Sequence, residues 1–174
     1  MLELVLGGAR SGKSAYAEQL ATNTQQEVVY IATAQAGDDE MARRIAQHQL
    51  QRPAHWKTVE APLELTRILK SEAAAHHCLL VDCLTLWLTN CLLHDDQNYW
   101  PQQRQQFLQI LTELPGSIIM VSNEVGHGIV PLGELNRRFV DEAGWLHQAV
   151  AQRADKVVLV TAGLPQYLKG KATC

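Results

Sequence analysis

The chain has 174 residues, 47% of them hydrophobic and 19% charged, with a formal net charge of −3 at pH 7. That length suits one domain with a substantial core. The apolar content excludes intrinsic disorder, and the small net charge argues against the basic field of a nucleic-acid or anionic-membrane binder.

Apolar runs alternate with segments of helical period. Residues 2–6 predict a short buried strand, followed by a glycine-rich turn and a helix over about 13–21. Residues 28–32 predict a second strand, and 39–51 a second helix capped by Asp38. Residues 56–60 read as extended, and Pro62 suits the first position of a helix over 63–74. Residues 78–82 predict a strand, and 84–93 an apolar helix that is either core or a subunit interface. The most polar loop, 94–101, leads to a glutamine-rich helix over 102–114, a strand over 117–122 and a loop over 126–133. Leu135, Phe139, Ala143, Leu146 and Val150 recur at helical spacing and predict one long amphipathic helix, before a last strand over 156–161.

Strands alternating with helices predict an α/β fold with a mostly parallel central sheet covered on both faces. No linker, composition break or repeat divides residues 1–174, so one domain is expected. The cysteines Cys78, Cys83, Cys91 and Cys174 lack CxxC spacing and read as reduced thiols. The N-terminus enters a strand pattern with Glu3 inside it, unlike a secretory leader. The longest uncharged apolar run, 83–93, falls short of the ~20 residues needed to span a bilayer, so a cytoplasmic protein without stable membrane insertion is expected.

The first strand–helix junction reads Gly7-Gly8-Ala9-Arg10-Ser11-Gly12-Lys13-Ser14, matching G-x-x-x-x-G-K-[ST]. This spacing wraps phosphate oxygens in consecutive backbone N–H groups and sets the positive end of a helix against them. Lys13 is placed to reach the β- and γ-phosphates, and the Ser14 hydroxyl to ligate Mg²⁺. The loop points to a P-loop NTPase-type three-layer fold. A second magnesium-side group is expected at the end of another buried strand, where Leu79-Leu80-Val81 runs into Asp82; the same aspartate also suits a helix cap.

A P-loop does not name a reaction. A regulatory GTPase would carry an Asn-Lys-x-Asp motif, and none occurs, whereas a small-molecule kinase fits the length. Among the seven histidines, His48 shares a helical face with Met41 and Ile45, and periodicity by itself favours a partly buried helix residue. Chemically, an imidazole is largely neutral at pH 7 and nucleophilic, able to attack an α-phosphorus and form a phosphoramidate. Arg43, Arg44 and Arg52 either offset phosphate charge or form a solvated face.

Several stretches along nearly the whole chain carry a family resemblance. They are GGARSGKS at 7–14, YIATAQ at 30–35, DDEM at 38–41, His48 followed by Arg52-Pro53 and Trp56, DCLTLWLTN at 82–90 and NEVGHGIVP at 123–131. The sequence resembles the bifunctional adenosylcobinamide kinase / adenosylcobinamide-phosphate guanylyltransferase family of cobalamin biosynthesis. The resemblance implies two reactions. A phosphoryl group passes from ATP or GTP to the aminopropanol hydroxyl of adenosylcobinamide. GMP then passes from GTP, through a guanylyl-histidine, onto the new phosphate, giving adenosylcobinamide-GDP and pyrophosphate.

By motif position the resemblance makes His48 the guanylylated residue. It places nucleotide contacts at Gly7 to Ser14, at Ala32, Thr33 and Ala34, at Gln49, Leu50, Gln51 and Arg52, and at Glu60 and Asp82. Glu60 is suited to the guanine edge or to ribose, and Ser14 with Asp82 to Mg²⁺. The corrinoid is the substrate partner, nucleic acid is not a partner, and a homo-oligomer, with a trimer among the assemblies, is implied. The NEVG stretch is either a segment near the corrinoid or a purely structural turn. One site serving γ- and α-phosphoryl chemistry suggests that the 39–51 segment moves. The readings set against this are a P-loop kinase of another small metabolite without guanylylation, and a non-catalytic nucleotide sensor.

Overall fold

The apolar runs of the sequence become neighbouring strands of one seven-stranded sheet in the computed structural model, which describes residues 1–35, 43 and 53–171. In chain order the elements are β1 (Leu2–Gly7), α1 (Lys13–Asn23), β2 (Glu27–Ala32), β3 (Lys57–Glu60), α2 (Leu65–Glu72), β4 (His77–Asp82), α3 (Leu84–Leu92), α4 (Tyr99–Ile110), β5 (Ser117–Asn123), α5 (Glu134–Arg153), β6 (Lys156–Thr161) and β7 (Leu164–Lys169). The sheet order is β3-β2-β4-β5-β1-β6-β7, parallel throughout except for the final β6–β7 pair.

Central parallel strands are apolar on both sides because helices cover both faces. On one face α1 lays Ala17 and Ala21 against Val5, Tyr30, Leu80, Ile119 and Val158. On the other, α2 to α5 pack Leu65, Leu69, Trp87, Phe107 and Leu146 over Leu4, Ile31, Val81 and Met120. Trp87 centres this larger layer, with ring centroids 5.4 Å from Trp100 and 4.9 Å from Phe107. Each such buried side chain contributes roughly 1.5–3 kcal/mol. The 84–93 run is therefore mainly core, with Leu84, Trp87, Leu88 and Cys91 buried within this chain. Cys78, Cys83 and Cys91 are buried free thiols.

Three expectations need correction. The helix foreseen from residue 63 begins at Leu65, because the Pro62 and Leu63 carbonyls turn toward α3 and accept from Asn90 Nδ2 and Trp87 Nε1, each at 2.9 Å. The helix foreseen from 102 starts at Tyr99, since Pro101 falls in its first turn, where no N–H is needed. The last strand is not β6: a two-residue turn with Ala162 at φ 53° and Gly163 at φ 78° returns the chain as β7. The predicted 39–51 helix, including His48, lies outside the described residues, as does Cys174. Among the described residues no helix is long and apolar enough to cross a membrane.

Candidate nucleotide site

β1 ends at Gly7 and α1 begins at Lys13, so residues 8–12 must reverse the chain within a few ångströms. A Cβ on Gly7 would lie 2.4 Å from Ser11 Oγ and 2.7 Å from the Val160 carbonyl, leaving no room for a side chain. Gly12, the residue before the helix, sits at φ 93° with Gly163 Cα 3.1 Å from where its Cβ would be. The turn is closed by Ser11 N donating to Gly8 O at 3.2 Å. It is braced from outside by Gly163 N donating to Ser11 O at 2.8 Å, so the β6–β7 turn that the sequence reading missed supports the loop directly.

The loop is shaped for an anion. An α-helix leaves its first N–H groups without intrahelical acceptors, and those of α1 open at the loop. The Lys13 ammonium folds over it, donating to Gly8 O at 3.2 Å. Ser11 Oγ is buried without a protein partner. Ala9 and Arg10 are exposed, while Gly8 and Ser14 are half-buried.

Strand order brings the other candidates to the same edge. Ala32 pairs with Glu60 on one side and Asp82 on the other, so the ends of β3, β2 and β4 form a row. Gly7 pairs with Asn123 and Val160 further along it. Tyr30 OH donates to Asp82 Oδ2 at 3.0 Å, fixing one carboxylate oxygen. Glu60 is exposed. Thr33 differs from its neighbours, because its buried hydroxyl donates to Cys83 O at 2.7 Å and accepts from Cys83 N at 2.8 Å. That side chain clamps β2 to the end of β4, and Asn90 Nδ2 holds the Thr33 carbonyl at 2.9 Å. The backbone of the turn is engaged as well, with Thr33 N donating to Asp82 O at 3.3 Å and Ala32 O accepting from Ala61 N at 2.8 Å. Gln49, Leu50, Gln51, Arg52 and His48 lie outside the described residues.

Two polar groupings at this edge escaped the sequence reading. Asn123 Nδ2 donates to Thr85 Oγ1 at 3.0 Å, and Thr85 Oγ1 lies 3.1 Å from Cys83 Sγ. Burial, with the Asp82 charge adding, pushes the Cys83 thiol up to about 11, against smaller opposing effects that include the Lys13 ammonium. Cys83 thus stays a neutral thiol. Beside it, Glu124 N donates to Gly7 O at 3.0 Å, so the strand carrying the NEVG stretch is tied to the phosphate loop.

The Glu124 carboxylate accepts from Gly126 N at 2.6 Å and lies 3.7 Å from Nδ1 of His147, whose Nε2 is 2.7 Å from Ser122 Oγ. Burial lowers the His147 pKa and Glu124 opposes the shift. The tautomer that satisfies both neighbours carries its proton on Nδ1 and accepts from the Ser122 hydroxyl. Ser122 is fully buried, so its bond to the His147 ring, with Glu124 beside it, is a brace. Its one sequence signal is a histidine lying within the apolar stripe of Ala143, Leu146 and Val150.

A glycine-walled loop between the first strand and helix, at the carboxyl edge of a parallel sheet beside a strand-end aspartate, defines a P-loop nucleotide-binding protein. The fold is similar to the RadB recombinase crystal structure, with a TM-score of 0.50 at 16% identity over 91% of this chain and 73% of that one. A family model described as cobinamide kinase / cobinamide phosphate guanyltransferase matches residues 3–168.

The chain is 63% identical to the bifunctional adenosylcobalamin biosynthesis protein CobP of Pseudomonas aeruginosa, over 98% of this chain and 99% of that protein. It is 41% identical to the CobU protein of the same description from Salmonella typhimurium, over 97% and 100%. The chain belongs to the cobinamide kinase / cobinamide phosphate guanyltransferase family. It is a bifunctional enzyme of cobalamin biosynthesis.

Proposed function

We propose that both reactions draw on the one phosphate cradle, with the kinase step first and a guanylyl-histidine on His48 in the second. In the first, the aminopropanol hydroxyl oxygen of adenosylcobinamide bonds to the γ-phosphorus of ATP or GTP. The bond to the nucleoside diphosphate breaks and the hydroxyl proton is released. In the second, an imidazole nitrogen of His48 attacks the α-phosphorus of GTP and pyrophosphate leaves. A phosphate oxygen of adenosylcobinamide phosphate then attacks the same phosphorus, the N–P bond breaks, and adenosylcobinamide-GDP is released.

The observation carrying this reading is the loop at residues 7–14, opening on the same sheet edge as Asp82 and Glu60. Lys13 and the leading N–H groups of α1 offset charge on the departing phosphates. The hydroxyl of Ser14 and the carboxylate of Asp82 are hard oxygen donors of the kind Mg²⁺ takes, and the bound ion would add further charge neutralisation there. The turn of Ala32, Thr33 and Ala34, and residues Gln49, Leu50, Gln51 and Arg52, complete the nucleotide contacts, with Glu60 accepting from the guanine edge or ribose.

The assembly proposed is a cytoplasmic homo-oligomer, a trimer by family resemblance, without a nucleic-acid partner. Ile129, Val130 and Leu132 give it an exposed apolar segment to bury. Incubation with Mg²⁺ and GTP labelled at the α-phosphate, followed by denaturation, tests the mechanism. Retained label that is acid-labile, alkali-stable and absent in His48→Ala is expected, with kinase turnover surviving in that variant. An unlabelled parent protein fits instead a kinase without guanylylation, or a sensor if phosphorylation is also missing.

A further inference from the structure

At the opposite, amino edge of the sheet, Glu27, His76 and His77 each bring a ligand atom within 4.8 Å of the others. The register creates this meeting. Glu27 and His77 are directly paired residues at the starts of β2 and β4, and Glu27 N donates to the His76 carbonyl at 3.0 Å. The rings of His76 and His77 stand edge to face, 4.3 Å between centroids.

The protonation pattern of His77 is the telling feature. Its Nδ1 lies 2.6 Å from the backbone carbonyl of Glu72, which can only accept, so Nδ1 carries a proton. In the neutral ring Nε2 is then a lone pair, and it faces Glu27 Oε2 at 3.6 Å. The two atoms thus converge on one point at which a cation can be held. Nδ1–H held by a backbone carbonyl with Nε2 free is the arrangement found behind metal-bound imidazoles, where the outer bond fixes the tautomer and the ring. Ligands about 2.0–2.1 Å from a tetrahedral zinc ion stand about 3.3–3.4 Å apart, close to the 3.6 Å observed.

We propose that His76, His77 and Glu27 form a site for a divalent transition ion of imidazole preference, such as Zn²⁺, with water completing the coordination. The ion clips the start of β2 to the turn entering β4. Two ligands sit on paired strand positions, and Glu27, exposed over 78% of its side chain, is free to swing toward the ion. The site lies across the sheet from the phosphate cradle and takes no part in either transfer.

Calorimetric titration of the chelator-treated, nucleotide-free enzyme with Zn²⁺ at a pH of about 8, where free imidazoles are neutral, tests this. One equivalent is expected to bind at this site, with affinity falling about 10- to 100-fold or more in each of His76→Gln, His77→Gln and Glu27→Gln. Zn²⁺ should raise the melting temperature of the parent and not of these variants. His127→Gln, at the other sheet edge, should bind as the parent does. Co²⁺ substituted for Zn²⁺ should give visible absorption that the three variants lose, while kinase turnover with Mg²⁺ stays unchanged in all of them. No uptake by the parent, or uptake undiminished by substituting either His76 or His77, overturns the site, including the case where a proton alone bridges His77 and Glu27.

Discussion

The amino and carboxyl edges of this sheet are made from the same strands, yet their polar groups behave differently. At the amino edge the backbone groups near the chain start close on one another, although Gln26 Oε1 stays buried without a partner among the described residues and Glu27, His76 and His77 face one another. The Met1 ammonium donates to Gly116 O at 2.9 Å, Leu2 N to Asp155 Oδ2 at 2.7 Å, and Asp155 N back to Leu2 O at 2.8 Å. Gln26 Nε2 donates to Ala75 O at 3.0 Å. At the carboxyl edge the chain bends into a loop whose own bonds leave Ser11 Oγ unsatisfied among the described residues, with Lys13 held on the Gly8 carbonyl. The direction of the strands explains the contrast. In a parallel sheet each crossover helix starts near the carboxyl edge, so the positive helix ends gather there and favour an anion.

Substitutions at the two edges should separate activity from stability. Lys13→Ala should have the largest effect, lowering kcat/KM of both transfers by roughly 10²–10³-fold. Its melting temperature should hold, because the ammonium makes one bond to the loop. Equal loss in the two assays is the measurement that keeps them on one cradle; retained kinase turnover would separate them. Gly7→Ala should follow, since a methyl group 2.4 Å from Ser11 Oγ and 2.7 Å from a backbone carbonyl forces the loop open. A loss of about 1–3 kcal/mol in urea unfolding is expected, together with weaker GTP binding by calorimetry.

The amino edge should respond in the reverse sense. Asp155→Ala removes the acceptor for Leu2 N and should cost about 1 kcal/mol in unfolding while leaving both turnovers intact. A fall in activity at full folding would erase the contrast between edges. The smallest effect is a pH dependence from His147, whose pKa burial holds below 6.5. Between the folded value and 6.5 the unfolded chain takes up a proton that the folded chain does not. The stability from the neutral ring is therefore present above 6.5 and is lost as pH falls through the folded pKa. Denaturation of the parent and His147→Gln across that window should show the parent falling more steeply.

Much of the phosphate cradle was readable because it is local. Eight consecutive residues contain its turn, its lysine and its hydroxyl, and the strand before and helix after are visible as an apolar run and a helical period. Asp82 was readable as a strand end, since Leu79-Leu80-Val81 runs directly into it, whereas Glu60 was marked only by the family resemblance. The Thr33–Cys83 clamp was not readable, because its partners are 50 residues apart, and a threonine that locks two strands looks the same in sequence as one that contacts a ligand. Tyr30 on Asp82, at a separation of 52 residues, and Ser122 on His147 are hidden for the same reason. The late start of α2 was missed because its first carbonyls are claimed by Trp87 and Asn90, residues of a different helix.

Sequence alone determined the alternation of strands and helices, the phosphate loop and, through its motifs, the family. Each depends on neighbouring residues, whose backbone preferences and apolar spacing act over a few positions. Tertiary structure decided the strand order, and with it the row of Glu60, Ala32 and Asp82, the β7 turn bracing Ser11, and the meeting of Glu27 with His76 and His77. Those juxtapositions depend on which distant strands pair and in what register, which is set by burial of the whole sheet between two helical layers and leaves no mark on any short stretch of the chain.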